Sequence, residues 1–141
     1  MGKEEAMLKI LVADEEIALR GQLKWAARGE GRQVVEAESG REAIQLIQQH
    51  DFDVIVTDLK MERDDAGIDV LKAAKQKDIY AQVIVVTAYG TPEISVETMR
   101  LGAFDYLERS APGTDYLAMV RSKINLALQF RQAKLADKSG V

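Results

Sequence analysis

Apolar residues in this chain fall into short dense runs that each stop on a polar side chain, separated by stretches where they recur every three or four positions. Leu8-Lys9-Ile10-Leu11-Val12-Ala13 leads into Asp14-Glu15-Glu16, Val54-Ile55-Val56-Thr57 into Asp58, and Val83-Ile84-Val85-Val86 into Thr87. Runs so rich in β-branched residues predict strands covered on both faces. Gln33–Ala37 and Ala103–Leu107 read as two further short strands. The stretches between carry helical spacing. Ile17–Arg28 turns Leu19, Leu23, Ala26 and Ala27 inward and stops at Gly29 and Gly31. Ser39, with Glu42 three residues on, is a capping box for a helix Arg41–His50 that buries Ala43, Ile44, Leu46 and Ile47. Leu59–Ala66 has no period and reads as a loop; Ile68–Lys77 then buries Ile68, Leu71 and Ala74 and points Lys72 and Lys75 outward. Thr91 caps a helix opened by Pro92, which Gly102 ends. Thr114 or Asp115 caps a long last helix bearing Leu117, Val120, Ile124, Leu128 and Leu135.

Strand and helix thus alternate five times, which predicts an α/β fold: a doubly wound five-stranded parallel sheet, order 2-1-3-4-5, with right-handed crossovers. Such sheets place their site at the carboxyl ends of the strands, where the order reverses. Asp14, Glu15, Asp58 and Thr87 then converge on one edge. Acids gathered at one point repel each other unless a cation lies among them, and hard oxygen ligands suit Mg²⁺. The plain alternatives are a solvated strand end for Asp14 and Glu15, a cap for Asp58 and a simple strand-end hydroxyl for Thr87. His50 has no partner spaced for catalysis or metal, and Trp25 reads as helix packing.

Composition narrows the classes further. With 141 residues, 47% of them hydrophobic and 30% charged, the chain has material for one globular domain with a real core. A net charge of −4 without a dense basic block gives no footprint for direct nucleic-acid contact. Cysteine is absent, which excludes disulfides and thiolate metal sites and favours a reducing compartment. No apolar stretch approaches a membrane span, and the amino terminus has no signal-peptide core. A cytoplasmic setting away from membranes is expected.

These motifs resemble the receiver domain of two-component response regulators, over roughly Leu8 to Ala127. The resemblance implies a flavodoxin-like fold, with residues 1–127 as receiver domain and 128–141 as a helical extension or linker. It implies that Asp58 accepts a phosphoryl group from a sensor histidine kinase, with Asp14, Glu15, Asp58 and the Lys60 backbone carbonyl around Mg²⁺. Thr87, Ala88 and Arg109 would contact the phosphoryl oxygens, and Thr87 with Tyr106 would form a switch. Catalysis would extend only to the protein's own phosphorylation and dephosphorylation. The segments LGAFDYLE (Leu101 to Glu108) and TAYG (Thr87 to Gly90) are similar to receivers of enhancer-binding transcription regulators in particular, so an output domain or partner protein is expected.

Two departures flank the site. Where the family has Lys-Pro after the fifth strand, this chain has Arg109-Ser110, and where it has Met-Pro after the acceptor, this chain has Met61-Glu62 in a longer loop. Arginine is bulkier than lysine and presents a planar fork. It either reaches the phosphoryl oxygens in its own way or pairs with Asp58 and blocks it. A phosphorylation-independent pseudo-receiver that acts as a binding module is therefore the second reading. A metal-dependent hydrolase working through an aspartyl-phosphate is the third, disfavoured because Lys60 stands where its general acid would be. The apolar positions of the last helix also predict a homodimer through the last two helices.

Overall fold

The computed structural model describes residues 7–110 and 115–138. Five parallel strands lie in the order β2-β1-β3-β4-β5: β1 Leu8–Ala13, β2 Arg32–Ala37, β3 Val54–Asp58, β4 Gln82–Thr87 and β5 Asp105–Glu108. The helices are α1 Ile17–Ala27, α2 Gly40–Gln49, α3 Ala66–Lys77, α4 Pro92–Arg100 and α5 Tyr116–Lys138. Register aligns Ala13 with Thr57 and Asp58 with Val86, so the polar ends of β1, β3 and β4 meet at one edge. Every residue of β3 and β4 is buried, which is why their sequence runs apolar without alternation.

The sheet separates two cores. On one side Leu11, Ile55, Val83 and Val85 pack against Ala43 and Ile47 of α2 and Ile68, Leu71 and Ala74 of α3. On the other, Ile10, Val12, Val54, Ile84 and Val86 pack against Leu23, Ala26 and Ala27 of α1 and Val120, Ile124, Ala127 and Leu128 of α5. Of the apolar residues expected to pair two copies through α5, Ile124 and Leu128 are thus spent on this core, and Leu117 packs against it.

Several local expectations shift. β5 begins two residues later than expected, although Phe104 already donates its N–H to the Val83 carbonyl at 2.7 Å. Lys75 does not point into solvent; its Nζ turns back to the Ile79 and Ala81 carbonyls at 2.6 and 2.8 Å. Trp25 is half exposed, with the Arg121 guanidinium 4.8 Å from its ring centroid. The Thr114 position lies outside the described residues, and Asp115 caps α5 by accepting from the Ala118 N–H at 3.1 Å.

The last helix runs unbroken for 23 residues, across the expected boundary at 127/128. Arg131 anchors its far half beneath the sheet, with Nε 2.8 Å from Asp53 Oδ1 and Nη1 2.9 Å from Asp78 Oδ2. Asp53 also accepts the Lys9 N–H at 2.8 Å, so this ion cluster ties α5 to the amino ends of β1 and β3, opposite the acidic edge.

Candidate functional site

Asp58 ends a fully buried strand, and its backbone packs closely against the start of α3. α3 starts so close that a Cβ on Gly67 would collide with the Asp58 carbonyl oxygen and with Leu59 Cα; only glycine allows that approach. Gly67 also donates its N–H to the Leu59 carbonyl at 2.8 Å, fixing the loop onto the strand end. Glu15, Glu16, Asp58, Leu59, Lys60, Asp64, Thr87, Ala88, Tyr89 and Arg109 line a cleft of about 410 Å³ above it.

Asp14 and Asp58 are nearly buried, at 1% and 7% exposure. Asp14 Oδ1 accepts the Glu16 N–H at 2.9 Å, while Oδ2 has no partner among the described residues. The Asp14 backbone carbonyl is held by the buried Arg20 at 2.9 Å, and Arg20 in turn pairs with Glu36. Burial pushes the Asp14 carboxyl above its ordinary range, against the Glu16 hydrogen bond and the charge of Arg109. Asp58 is pushed up to about 6, first by burial and then by the charge of Asp14, with Arg109 opposing. Two carboxylates that crowd each other, one with a free buried oxygen, are a donor set suited to a hard cation. Glu15 stands exposed at the rim, and among the described residues no three acidic side chains are gathered tightly enough to form a finished cation site.

Arg109 takes the position facing Asp58. It follows β5, its N–H is held by the Thr87 carbonyl at 2.8 Å, and Nη1 lies 3.5 Å from Asp58 Oδ1. That is an ion pair too long for a good hydrogen bond, and Nη1 is buried without one. Of the two arrangements open to arginine, this structure therefore shows the pairing with Asp58. Ser110, in the place of proline, donates its hydroxyl to the Ala88 carbonyl at 2.7 Å. Thr87 is buried at the strand end and donates its hydroxyl to the Tyr89 carbonyl at 3.1 Å. The Tyr106 ring lies over Gly90, where a Cβ would collide with the phenol oxygen; that hydroxyl is buried and unpaired among the described residues.

Two further residues take positions that the sequence did not show, Glu62 at the start of α2, outside the cleft, and Tyr116 beside Arg109. Glu62, standing where proline was expected, accepts the Gly40 and Arg41 N–H groups at 2.8 Å each. Together with Ser39, which accepts the Glu42 N–H at 3.0 Å, it caps the start of α2. Partial burial opposes its charge, but the backbone N–H groups outweigh that and its carboxyl titrates below the usual range. Glu42 therefore does not close the box on Ser39 and reaches the Glu38 N–H instead, at 2.7 Å. Tyr116, the first residue of α5, turns its hydroxyl inward among Arg109, Asp58 and Asp14. Burial raises its pKa far above the phenol range, Arg109 opposes, and the two carboxylates add to the rise.

A doubly wound sheet in this order, carrying a buried aspartate pair at its switch point, has the architecture of a signalling receiver domain. The chain belongs to the response regulator receiver domain family, which it matches over residues 10–121. It is 37% identical over 100 residues to the transcriptional regulatory protein ZraR of Escherichia coli (strain K12), covering 71% of this chain and 22% of that protein. It is 32% identical over 136 residues to the transcriptional regulatory protein PdtaR of Mycobacterium tuberculosis, covering 92% of this chain and 65% of that one. The chain thus spans under a quarter of ZraR and under two thirds of PdtaR. Among solved structures it is similar to a response regulator receiver domain protein from Clostridium thermocellum, with a TM-score of 0.76 and 30% identity over 92% of this chain and 99% of that one. It is also similar to the signal receiver domain of a putative LuxO repressor protein from Vibrio parahaemolyticus, with a TM-score of 0.78 and 28% identity over 94% of this chain and 97% of that one.

Proposed function

We propose that Asp58 accepts a phosphoryl group from a phosphohistidine of a sensor histidine kinase, and that the domain then changes a protein-binding surface. The observation that carries this is a nearly buried strand-end carboxylate facing an open cleft, with a pKa of about 6 that leaves it mostly ionised at neutral pH. One Asp58 oxygen attacks phosphorus, the new O–P bond replaces the P–N bond, and the departing imidazole nitrogen keeps the electron pair and takes a proton from solvent. Asp14, Asp58, the Lys60 carbonyl and Glu15, once turned in from the rim, would hold Mg²⁺. When bound, it would neutralise phosphoryl charge. Thr87, the Ala88 backbone and Arg109 surround the place where the phosphoryl oxygens would lie. The domain acts on no substrate but itself, in the cytoplasm, and works through an output domain or a partner protein.

The surface in view is built by α4, β5 and the start of α5. On α4 only Thr98 is buried, while Val96 and Met99 are 55% and 44% exposed, so the helix is lightly docked and free to respond. A second reading, a pseudo-receiver that binds partners without phosphate, is favoured by the Arg109–Asp58 pairing. Intact mass after incubation with a small phosphoramidate and Mg²⁺ decides between them. The acceptor reading expects one added phosphoryl group in the parent and none in Asp58→Ala. Mass added to Asp58→Ala refutes the assignment, and no mass on the parent favours the pseudo-receiver.

A further inference from the structure

Around Asp58, three buried polar atoms have no hydrogen-bond partner among the described residues: Asp14 Oδ2, Arg109 Nη1 and the Tyr116 hydroxyl. The first fits the cation role given above. The other two are a donor and a group able to accept; Tyr116 and Arg109 lie close enough to interact, but not in the alignment of a formed hydrogen bond. Native proteins rarely leave such groups unpaired, because each costs free energy while it stays so. A small turn of the guanidinium satisfies both. At rest, the pull of Asp58 at 3.5 Å opposes that turn.

We propose that Tyr116 is a positioning residue for Arg109. When Asp58 carries a phosphoryl group, one edge of the guanidinium follows the phosphoryl oxygens and Nη1 is released to donate to the Tyr116 hydroxyl. The inference rests on the acceptor reading of Asp58. Arginine's planar fork of five N–H donors makes the double engagement geometrically available, whereas a lysine ammonium is a single point charge. Occupancy is thereby passed to the first turn of α5, whose cap is Asp115 and whose far half is fixed by Arg131. This route is separate from Thr87 and Tyr106. In this structure Thr87 is already engaged with the Tyr89 carbonyl, and Tyr106 is already seated over Gly90.

The test compares the parent, Tyr116→Phe, Arg109→Lys and the double variant, each titrated with beryllofluoride and Mg²⁺ while amide NMR spectra are recorded. Tyr116→Phe removes one oxygen and keeps the ring, so the fold should hold. It is expected to bind beryllofluoride about fivefold more weakly, to keep the shifts around Asp58, and to lose those of residues 116–120. In the Arg109→Lys background the same change should have no further effect. Retained shifts at 116–120 in Tyr116→Phe, or an equal effect in both backgrounds, overturns the proposal. A parent that takes up no beryllofluoride overturns the acceptor reading instead. The pairing is then decided by unfolding equilibria of the same four proteins in an Asp58→Asn background, where the pull on Nη1 is gone: a coupling of about threefold or more between the two sites upholds it, and none overturns it.

Discussion

Replacing Asp58 with asparagine should stabilise the domain at neutral pH, and the gain should largely disappear in mild acid. The side chain keeps its shape and loses its charge. Burial, with the neighbouring charge of Asp14, lifts the Asp58 pKa from 3.8 to about 6, a rise of about two units. At ~1.4 kcal/mol per unit, holding Asp58 ionised in the folded state costs about 3 kcal/mol. The opposing charge of Arg109 is already contained in that rise, so the expected gain is roughly 2–3 kcal/mol, or ~6–10 °C in melting temperature for a domain of this size.

The sign follows from linkage. A carboxylate with a raised folded pKa costs nothing below the unfolded value, because it is then protonated in both states. The cost grows as pH rises from about 4 to about 6 and is constant above that. Urea unfolding of the parent and Asp58→Asn at pH 7.5 and pH 4.5, with chelator present, measures both ends. The variant should be more stable at pH 7.5, and most of that gain should be gone at pH 4.5. A gain that is equal at the two pH values, or a variant less stable at pH 7.5, refutes the reasoning that burial of this charge is the strained element.

Four further outcomes follow from other contacts. Adding Mg²⁺ should stabilise the parent against urea and leave Asp58→Asn unchanged; equal stabilisation would remove Asp58 from the cation site. Arg109→Lys should enlarge the beryllofluoride-induced shifts around Asp58, since a smaller ammonium leaves more room beside it, while the shifts at residues 116–120 shrink; identical spectra would deny arginine a special role. Glu62→Ala frees the Gly40 and Arg41 N–H groups at the start of α2 and should cost about 1 kcal/mol in urea unfolding, an amount Glu62→Gln should largely restore. Arg131→Leu should speed amide exchange in the last two turns of α5 without altering the spectrum around Asp58; unchanged exchange would mean that the pairs with Asp53 and Asp78 do not hold the helix.

The sheet was legible because its signal is local and redundant. Val54–Val56 and Val83–Val86 are β-branched runs that a helix would not favour, and each ends on a polar residue at the edge where the site lies. Single-residue caps followed from the sequence, as at Ser39 and Thr91, whose hydroxyl oxygens accept the Glu42 and Ile94 N–H groups, whereas the returning Glu42 contact of the expected box does not form. Errors arose where a long side chain had a choice of partners. Lys75 has a helical surface position, yet two loop carbonyls beyond the helix end outcompete water for its ammonium. The far half of α5 looked like a solvated stalk because its charges are dense. Arg131 has no partner within its own helix, only Asp53 and Asp78, 78 and 53 residues away in sequence.

The site divides along the same line. Asp14, Asp58 and Thr87 came together because strand register alone decides where their Cα atoms lie, and register follows from the burial pattern. The residues after β5 are set by side-chain reach. Arg109 could extend into the cleft or fold onto Asp58, and what selects the second here is electrostatic: two crowded carboxylates with raised pKa values draw in the nearest cation. Glu62 and Tyr116 show the same dependence on context. Glu62 reads from sequence as an ordinary exposed loop acid, until the loop brings it to the positive end of α2. Tyr116 looks like another apolar position at a helix start, until the tilt of α5 turns its hydroxyl toward Arg109. Arg109 and Glu62, which depart from the family pattern, have each gained a polar partner across the fold. The two departures are therefore separate in the fold: Glu62 fastens the start of α2, while Arg109 closes on Asp58 and sets the resting charge of the cleft.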